Sequence, residues 1–586
     1  SGSASYSRII VSPSGSRTVS GSFNGSLVKL RGADNVKIDG LNSGGNSLIL
    51  ENTSSGDSAT VVRYENDASN NRLSNCTIKG SGRGTVTSSH GAVICYGLST
   101  GTTGNDNDTL SNCDVGPSGS NYPFQLIKGY GSVGKENDGI QILNNTLHDF
   151  YNATGNNTAG ILVYAASNGW TISGNKMFHT VNVALSAGGG QPYYGIRIDN
   201  SAYGFSITNN RIGYANSSGT GYTTITNTPS NYALEYKGIY LNLGTAVATT
   251  VSGNRIGGID ISSSRASATL GSAIFYGITL VGGRADITNN VIGSSTSIDS
   301  IRIKSTNNSG ATGIFSPCAG IYIAGTSSNT VSGNTIGGIG VSYTGTGTAG
   351  THDGTPFAGI LSASSGSSTS IMGNTIGNSQ SNNITSSMLR AGAQIAGIRC
   401  VAEAAIVIDN NVIQNLNCSV ANTGALMNAS VIGIRDTSYS SVLPGSTLKR
   451  NTISNLTNTA STLSSVTVTG IFAAAPTGAG ASSTIERNWI YSLSCNSTNN
   501  GSAVIGIYLY AGNTFYIYNN MVSIGSGISN GILIAGIMHK AGIVKVYYNS
   551  IRILGAPTSG TGSSYCLYGT STFLNLESKN NIFVNE

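Results

Sequence analysis

The chain is predicted to be all-β, a parallel β-solenoid of about sixteen coils with an asparagine ladder and loops of variable length. Three observations predict it. The pattern hydrophobic-x-x-Asn-x-hydrophobic recurs about every 36 residues, at spacings of 29 to 44. A Gly followed by a short Ile- and Val-rich run stands upstream of most copies, as in GIRI at Gly195, GIYI at Gly320 and GIRC at Gly397. Both elements alternate as strands do, and no long amphipathic helical period appears anywhere.

Residues 1–35 contain RIIVSPSGSRTVSGSFNGSLVKL, a lead-in of irregular strands. Residues 36–586 form one domain of stacked coils. The ladder positions are Asn145, Asn175, Asn210, Asn254, Asn290, Asn334, Asn374, Asn411, Asn451, Asn488, Asn520 and Asn549, with Asn581 a looser copy. Cys76, Cys113 and Asp39 are read into the same slot upstream. Two strands per coil at constant relative position must stack on their equivalents one coil away, giving parallel sheets. The Asn sits where the chain turns between strands. Its amide both donates and accepts, so a stack satisfies polar groups that are costly to bury alone. At about 4.8 Å per stacked strand, sixteen coils span about 75–80 Å.

With these residues in hand, the chain resembles the right-handed parallel β-helices of the pectate-lyase-like superfamily, over residues 36 to 586. The stretch GNDNDTLSNCDV, preceded by SNCTI, also resembles repeats of large secreted surface proteins of Bacteroidota. The resemblance implies a right-handed coil and raises the question of polysaccharide lyase or hydrolase activity.

Composition narrows the choice. Among 586 residues, 80 are Gly and only 9% are charged, so hydroxyls and amides must solvate the surface. The net charge of +6 is small for this length, and no Lys/Arg run occurs. Nucleic acid is therefore not the expected partner. No apolar run reaches the length of a membrane span. The sequence opens at SGSASYS, without a signal peptide, which reads as a mature or excised chain. Eight Cys lack CxxC spacing, so no zinc site is expected, and stacked Cys76 and Cys113 are read as free thiols. No polar capping helix is visible at either end, which suggests stacking on copies of itself or continuation in a longer chain.

Hydrolysis needs carboxylates a few ångströms apart, which a solenoid would supply from adjacent coils. Asp199 has Tyr164 and Asn242 in its column, and Asp436 has Cys400 and Ala473. Asp409 and Glu486 are separated by Lys449. SHG at Ser89–Gly91 and IRIK at Ile301–Lys304 match fragments of a polygalacturonase-like set whose NTD and DD members are missing. Asp106 and Asp108 could hold calcium but read first as a polar turn. His148–Asp149 and His352–Asp353 read as surface turns, because strand neighbours point apart. No catalytic, cofactor or metal residues are therefore assigned, and the balance is against catalysis. A lyase built on Tyr, Arg and Lys would escape such a search.

Two outward columns remain. The residue two after each Gly gives Leu162, Arg197, Tyr240, Thr279, Tyr322, Leu361, Arg399, Arg435, Phe472, Tyr508 and Met538, either an exposed stripe or packing beneath loops. The column beside the ladder turns aromatic and charged in the last third. There Lys449, Arg450, Arg487, Trp489, Tyr518, Tyr547 and Tyr548 form the candidate glycan- or partner-binding set, beside an Asp409–Lys449–Glu486 ion ladder. D-[ST]-aliphatic sites at Ser58, Thr109 and Ser300 resemble a bacterial O-glycosylation motif. The expected role is a secreted, cell-surface structural or adhesive solenoid, such as a stalk, filament or adhesin segment. The alternative is a carbohydrate-active or glycan-binding β-helix.

Overall fold

The computed structural model describes residues 7–586 except 43–44, 154–157, 186–191, 228–232, 266, 268, 308–315, 326, 346–355, 365–367, 389–393, 402–405, 421–429, 438–444, 461–464, 475–479, 558–561 and 571–574. The chain divides into two compact units, Ser1–Ile261 with Ile278–Asp286, and Ser262–Gly277 with Ile287–Glu586. Each is built the same way, as the parallel β-solenoid that the repeat predicts, a right-handed β-helix as the resemblance implies. Among the described residues, no helix is long and apolar enough to cross a membrane.

Each coil contributes strands to three parallel sheets, where the sequence suggested two. The first sheet holds the short strands before the ladder Asn, such as Gln141–Leu143 and Thr171–Ser173. The second holds those after it, such as Thr146–His148 and Lys176–Phe178. The third holds the Gly runs, such as Pro192–Asp199 on Glu235–Asn242. The extra division arises because the residue before the ladder Asn takes a left-handed conformation and breaks the strand. Asn144, Gly174, Asn209 and Gly253 in the first unit, and Asn289, Gly333, Gly373 and Asn410 in the second, have φ between 55° and 70°. Asn and Gly tolerate that region best, which explains the Asn-Asn and Gly-Asn doublets. The lead-in already makes one coil: Ile9–Val11, Arg17–Gly21 and Ser26–Arg31 pair in register with strands beginning at Val36, Leu48 and Thr60.

The ladder forms in both units. Asn175 Oδ1 accepts the Asn145 backbone N–H at 3.0 Å and the Asn145 side-chain amide at 3.0 Å. Asn175 Nδ2 donates forward to Asn210 Oδ1 at 3.0 Å and backward to the Ile142 carbonyl at 2.8 Å. The same bonds run from Asn290 through Asn334, Asn374, Asn411, Asn451, Asn488, Asn520 and Asn549 to Asn581. Cys113 opens the first-unit ladder, its N–H donating to Asn145 Oδ1 at 2.9 Å. All eight Cys are free and buried.

Asp39 is not in the ladder slot. It pairs with Ser74, two residues before Cys76. The pattern around Asp39 fits two alignments, and packing selects the one that sets Ile38 on Leu73. Its carboxylate accepts from the Leu41 N–H and the Asn75 amide and pairs with Lys37 at 2.8 Å. Burial works to raise this carboxyl, but those three partners outweigh it and bring it down to about 2.

The core is a set of aliphatic columns, including Ile371, Ile408 and Leu448 before the ladder and Ile376, Ile413 and Ile453 after it, all buried. The repeat Gly faces this second column across the interior. A Cβ on Gly433 would stand 2.5 Å from the Gly470 carbonyl oxygen and 2.6 Å from Ile453 Cγ2. Close approach of coil to coil therefore requires Gly there.

Three substitutions test this packing and the ladder. Gly433→Ala should lower stability by about 1–3 kcal/mol through overpacking, whereas Gly373→Asn, at a corner that already accepts Asn, should be nearly neutral. Asn411→Ala should lower stability by at least ~2 kcal/mol, because it strands donors on Asn374 and an acceptor on Asn451. Denaturant midpoints read all three.

Candidate functional site

The candidate binding residues meet on one corner of the second unit. Lys449, Glu486, Tyr518, Tyr547 and Lys579 are consecutive partners in the first sheet. The next position along the chain is the left-handed corner. It holds Arg450 (φ 55°), Arg487 (φ 54°), Asn519 (φ 57°) and Tyr548 (φ 58°). Three of these four are bulky, where earlier coils use Asn or Gly. The backbone throws them outward: the Arg487 side chain is 62% exposed and Tyr548 60%. Trp489 follows its ladder Asn, is 48% exposed, and lies 4.5 Å from the Tyr491 ring. Tyr518 and Tyr547 are half-buried beside them.

Their charges are not equivalent. Arg450 grips Asp409 with both Nε, at 2.8 Å, and Nη2, while Lys449 stands 3.9 Å from the same carboxylate. That bond to Arg450 holds the Asp409 carboxyl below its usual range. Arg487 lies 3.8 Å from Glu486, a looser contact. Of the expected Asp409–Lys449–Glu486 ladder, the Asp409–Lys449 contact is present, and the corner arginines add pairs with Asp409 and Glu486. Tyr547 Oη donates to Glu577 at 2.7 Å. The result is an aromatic surface with two loosely held cations, Lys449 and Arg487.

The other candidate residues divide. Asp199 is committed to Arg197 at 2.6 Å and accepts from Asn242 at 2.9 Å. Asp108 is buried rather than in a solvated turn. It accepts the Asn71 N–H at 2.8 Å, and burial pushes its carboxyl well above the usual range. Asp106 accepts from the Asp138 N–H. Among the described residues, no group of three or more His, Cys, Asp or Glu is placed to hold a metal ion. Ser89 lies in the loop at residues 81–93, 3.4 Å from an Arg63 donor, and Ile301–Ser305 is a second-sheet strand of the other unit. His352 and Asp353 lie outside the described residues. Ser58 and Ser300 sit half-buried in turns and Thr109 half-buried in a strand.

His148–Asp149 is not a surface turn. Asp149 has φ 55° and so leaves the strand with its carboxylate turned back. It meets His148 Nδ1 at 2.8 Å and accepts from the Thr180 N–H and hydroxyl. His148 Nε2 reaches Asp114 at 3.3 Å. Behind Asp149, buried His179 contacts the Tyr193 hydroxyl and packs on Phe150. Burial disfavours the cation on His148, but Asp114 and Asp149 outweigh that and raise it to about 9. Burial holds His179 down to about 4.

The outward column of the third sheet is packing, not an exposed stripe. Leu162, Thr279, Tyr322, Leu361, Phe472, Tyr508 and Met538 are buried. In the first unit the loop at residues 81–93 covers it: Val86 packs against Leu162, and buried Lys128 donates from Nζ to the Thr85 carbonyl. Two open grooves were not foreseen. One, of about 300 Å³, is lined by in-register Lys176, Arg211 and Arg255. The other, of about 460 Å³, is lined by Asn382, Asn415, Asn455 and Ser492, all in left-handed conformations. The recurring I-x-N-L at Asn415 and Asn455 is the sequence signal for that second corner.

The chain matches no protein-family model and no curated protein. Among solved structures it is similar to the A-module of the mannuronan C-5 epimerase AlgE6 of Azotobacter vinelandii, at 10% identity, over 97% of this chain and 91% of that one, with a TM-score of 0.21. The fold assignment rests on the strand register and the ladder.

The two histidines set opposite pH limits on the first unit. The folded His148 value, about 9, lies above the unfolded value, so its stabilisation is complete below about 6.5 and is lost as pH rises through 9. The folded His179 value, about 4, lies below it, so stability is lost as pH falls from about 6.5 towards 4. Stability should peak near pH 6.5, and His148→Gln should flatten the alkaline limb while leaving the acid limb. Thermal melts across pH 4–10 measure both.

Proposed function

We propose that this chain is an extracellular structural or adhesive β-solenoid at the cell surface, a stalk, filament or adhesin segment, without catalysis. It makes its contacts through the corner of the second unit. The observation that carries the reading is the presence of Arg450, Arg487 and Tyr548 in left-handed backbone. A side chain with Cβ costs about 1–2 kcal/mol there. Asn relieves that cost in neighbouring coils, as at Asn519 and Asn580. Bulky side chains kept at a strained and solvent-facing corner are best accounted for by a partner that touches them. Trp489, two residues after Arg487 and with Tyr548 two coils on, gives this corner the composition of a contact centre.

Low charge and a hydroxyl-rich surface agree with a secreted chain, and glycosylation at Ser58, Thr109 and Ser300 would fit it. Ile9, Ile10 and Val11 in the first described coil, and Ile582, Phe583 and Val584 in the last, are exposed. A second copy stacked end to end would cover them. The second reading is a glycan-binding or carbohydrate-active β-helix. It is favoured by the Trp489–Tyr491 ring pair, a platform on which a sugar face can stack.

Tyr548→Asn and Trp489→Ala distinguish contact from scaffold. Tyr548→Asn should raise the denaturant midpoint slightly while weakening retention on source-cell surface or a glycan array. The double variant should lose about tenfold in affinity, near 1.4 kcal/mol, with the fold intact. Unchanged retention would remove the patch from the reading. Sugar products released from a polysaccharide panel would transfer support to the second.

A further inference from the structure

Arg399 lies in the strand Ile395–Val401 and Arg435 in Val431–Thr437, one coil apart in the third sheet of the second unit. They are direct partners in register, so their side chains leave the same face about 4.8 Å apart. The column continues with Leu361 on one side and Phe472 on the other, both buried. Two guanidiniums are therefore stacked between apolar walls.

Their surroundings are unequal. Arg435 donates from Nη1 to Gln394 Oε1 at 2.8 Å and sets its guanidinium carbon 5.9 Å from the Phe472 ring. Arg399 has no hydrogen-bond or ion-pair partner among the described residues, and its Nε is sealed from solvent without an acceptor. Burial, reinforced by the charge of Arg435, pulls Arg399 down to about 10, where a neighbouring carboxylate would do the reverse. Asp436 does not fill that role from the same face. As the residue after Arg435 it points to the interior, in register with Cys400 and Ala473, and is buried there. Elsewhere the chain handles half-buried arginines differently: Arg197 is held by Asp199.

A half-buried guanidinium whose Nε is sealed without an acceptor is unfavourable, and a second one beside it adds repulsion. Arginine stays protonated at any ordinary pH, so loss of the proton is no remedy. We propose that Arg399 and Arg435 form a binding site for a tetrahedral oxyanion, a sulfate or phosphate group. Forks stacked one strand spacing apart need acceptors at two levels. A tetrahedral group supplies them, whereas a single planar carboxylate matches one fork. Gln394 fixes the Arg435 fork, and Leu361 and Phe472 limit the slot to two coils. The group can be a free ion or an ester on a larger ligand.

The test is a titration of the whole chain with sodium sulfate and sodium phosphate, against sodium chloride and sodium acetate at matched ionic strength, by calorimetry and thermal melting. A saturable one-to-one isotherm with sulfate or phosphate is expected, with a rise in midpoint beyond that in chloride. Arg399→Met keeps the apolar stem and should abolish binding while leaving the strand signal in circular dichroism intact. Arg399→Lys keeps the charge without the fork and should weaken binding at least tenfold. A sulfated disaccharide serves as a further probe: tighter binding than sulfate assigns the group to a larger ligand, and equal or weaker binding assigns it to the free ion. Equal shifts in chloride, a preference for acetate, or full binding retained by Arg399→Met would each overturn the proposal.

Discussion

From Asn334 to Asn549 each ladder amide engages both neighbouring coils at once. The Asn411 oxygen takes the Asn374 backbone and side-chain N–H groups, and its nitrogen gives to the Asn451 oxygen and back to the Ile371 carbonyl. Only a primary amide offers two donors and an acceptor at one short side chain. Inside a protein such a chain of bonds is strong when complete and costly when broken. The stack therefore fixes register in a fold whose strands here run as short as two or three residues. Short parallel strands have little register preference of their own.

The ladder dictates the corner beside it. To aim the amide inward, the residue before it must turn left-handed, and that residue's side chain must then face solvent. Gly174, Asn209 and Gly253 meet this need with small groups. Arg450, Arg487 and Tyr548 meet it with large ones. The architecture thus creates a row of outward positions at coil spacing, and the sequence decides whether the row is small and polar or aromatic and charged. The same logic gives the second corner, where Asn455 donates to Asn415 at 3.2 Å.

The ladder and the Gly column were legible in the sequence because each repeats one residue type for one steric or hydrogen-bonding reason. The division between the first and second sheets was not. It depends on one left-handed residue before the ladder Asn, and neither Gly nor Pro marks that break in coils such as those at Arg450 and Arg487. The doublets Asn144-Asn145 and Gly253-Asn254 were on view, and their physical reading as corners would have supplied it. Asp39 was misplaced because alternation alone fits two registers two residues apart. The gathering of Lys449, Arg487, Trp489 and Tyr548 on adjoining coils followed directly from the repeat. His148–Asp149 did not, since strand geometry ends at His148 and a positive φ at Asp149 has no mark in sequence. The column from Leu162 to Met538 looked outward correctly, but what covers it depends on loops, which follow no period.

That covered column limits where contacts can be made. The third sheet is lined inside by residues such as Ile398 and Ile434 and outside by Leu361 and Phe472, all buried. A sheet packed on both faces reads as nearly continuous apolar sequence, as AVIGIYLYA at 503–511 does. Charge placed on its outer face must therefore be neutralised locally. Arg197 is, by Asp199 and by the Tyr194 ring at 4.7 Å. Lys128 is held by the Thr85 carbonyl, and burial brings it down to about 8. Solvent-facing aromatic residues belong instead to the ladder corner, where the backbone turn rather than a loop decides exposure. Apart from the Arg399–Arg435 pair, the outer column of the third sheet is taken up by the chain's own packing, so the exposed side chains of the coil body stand at its corners.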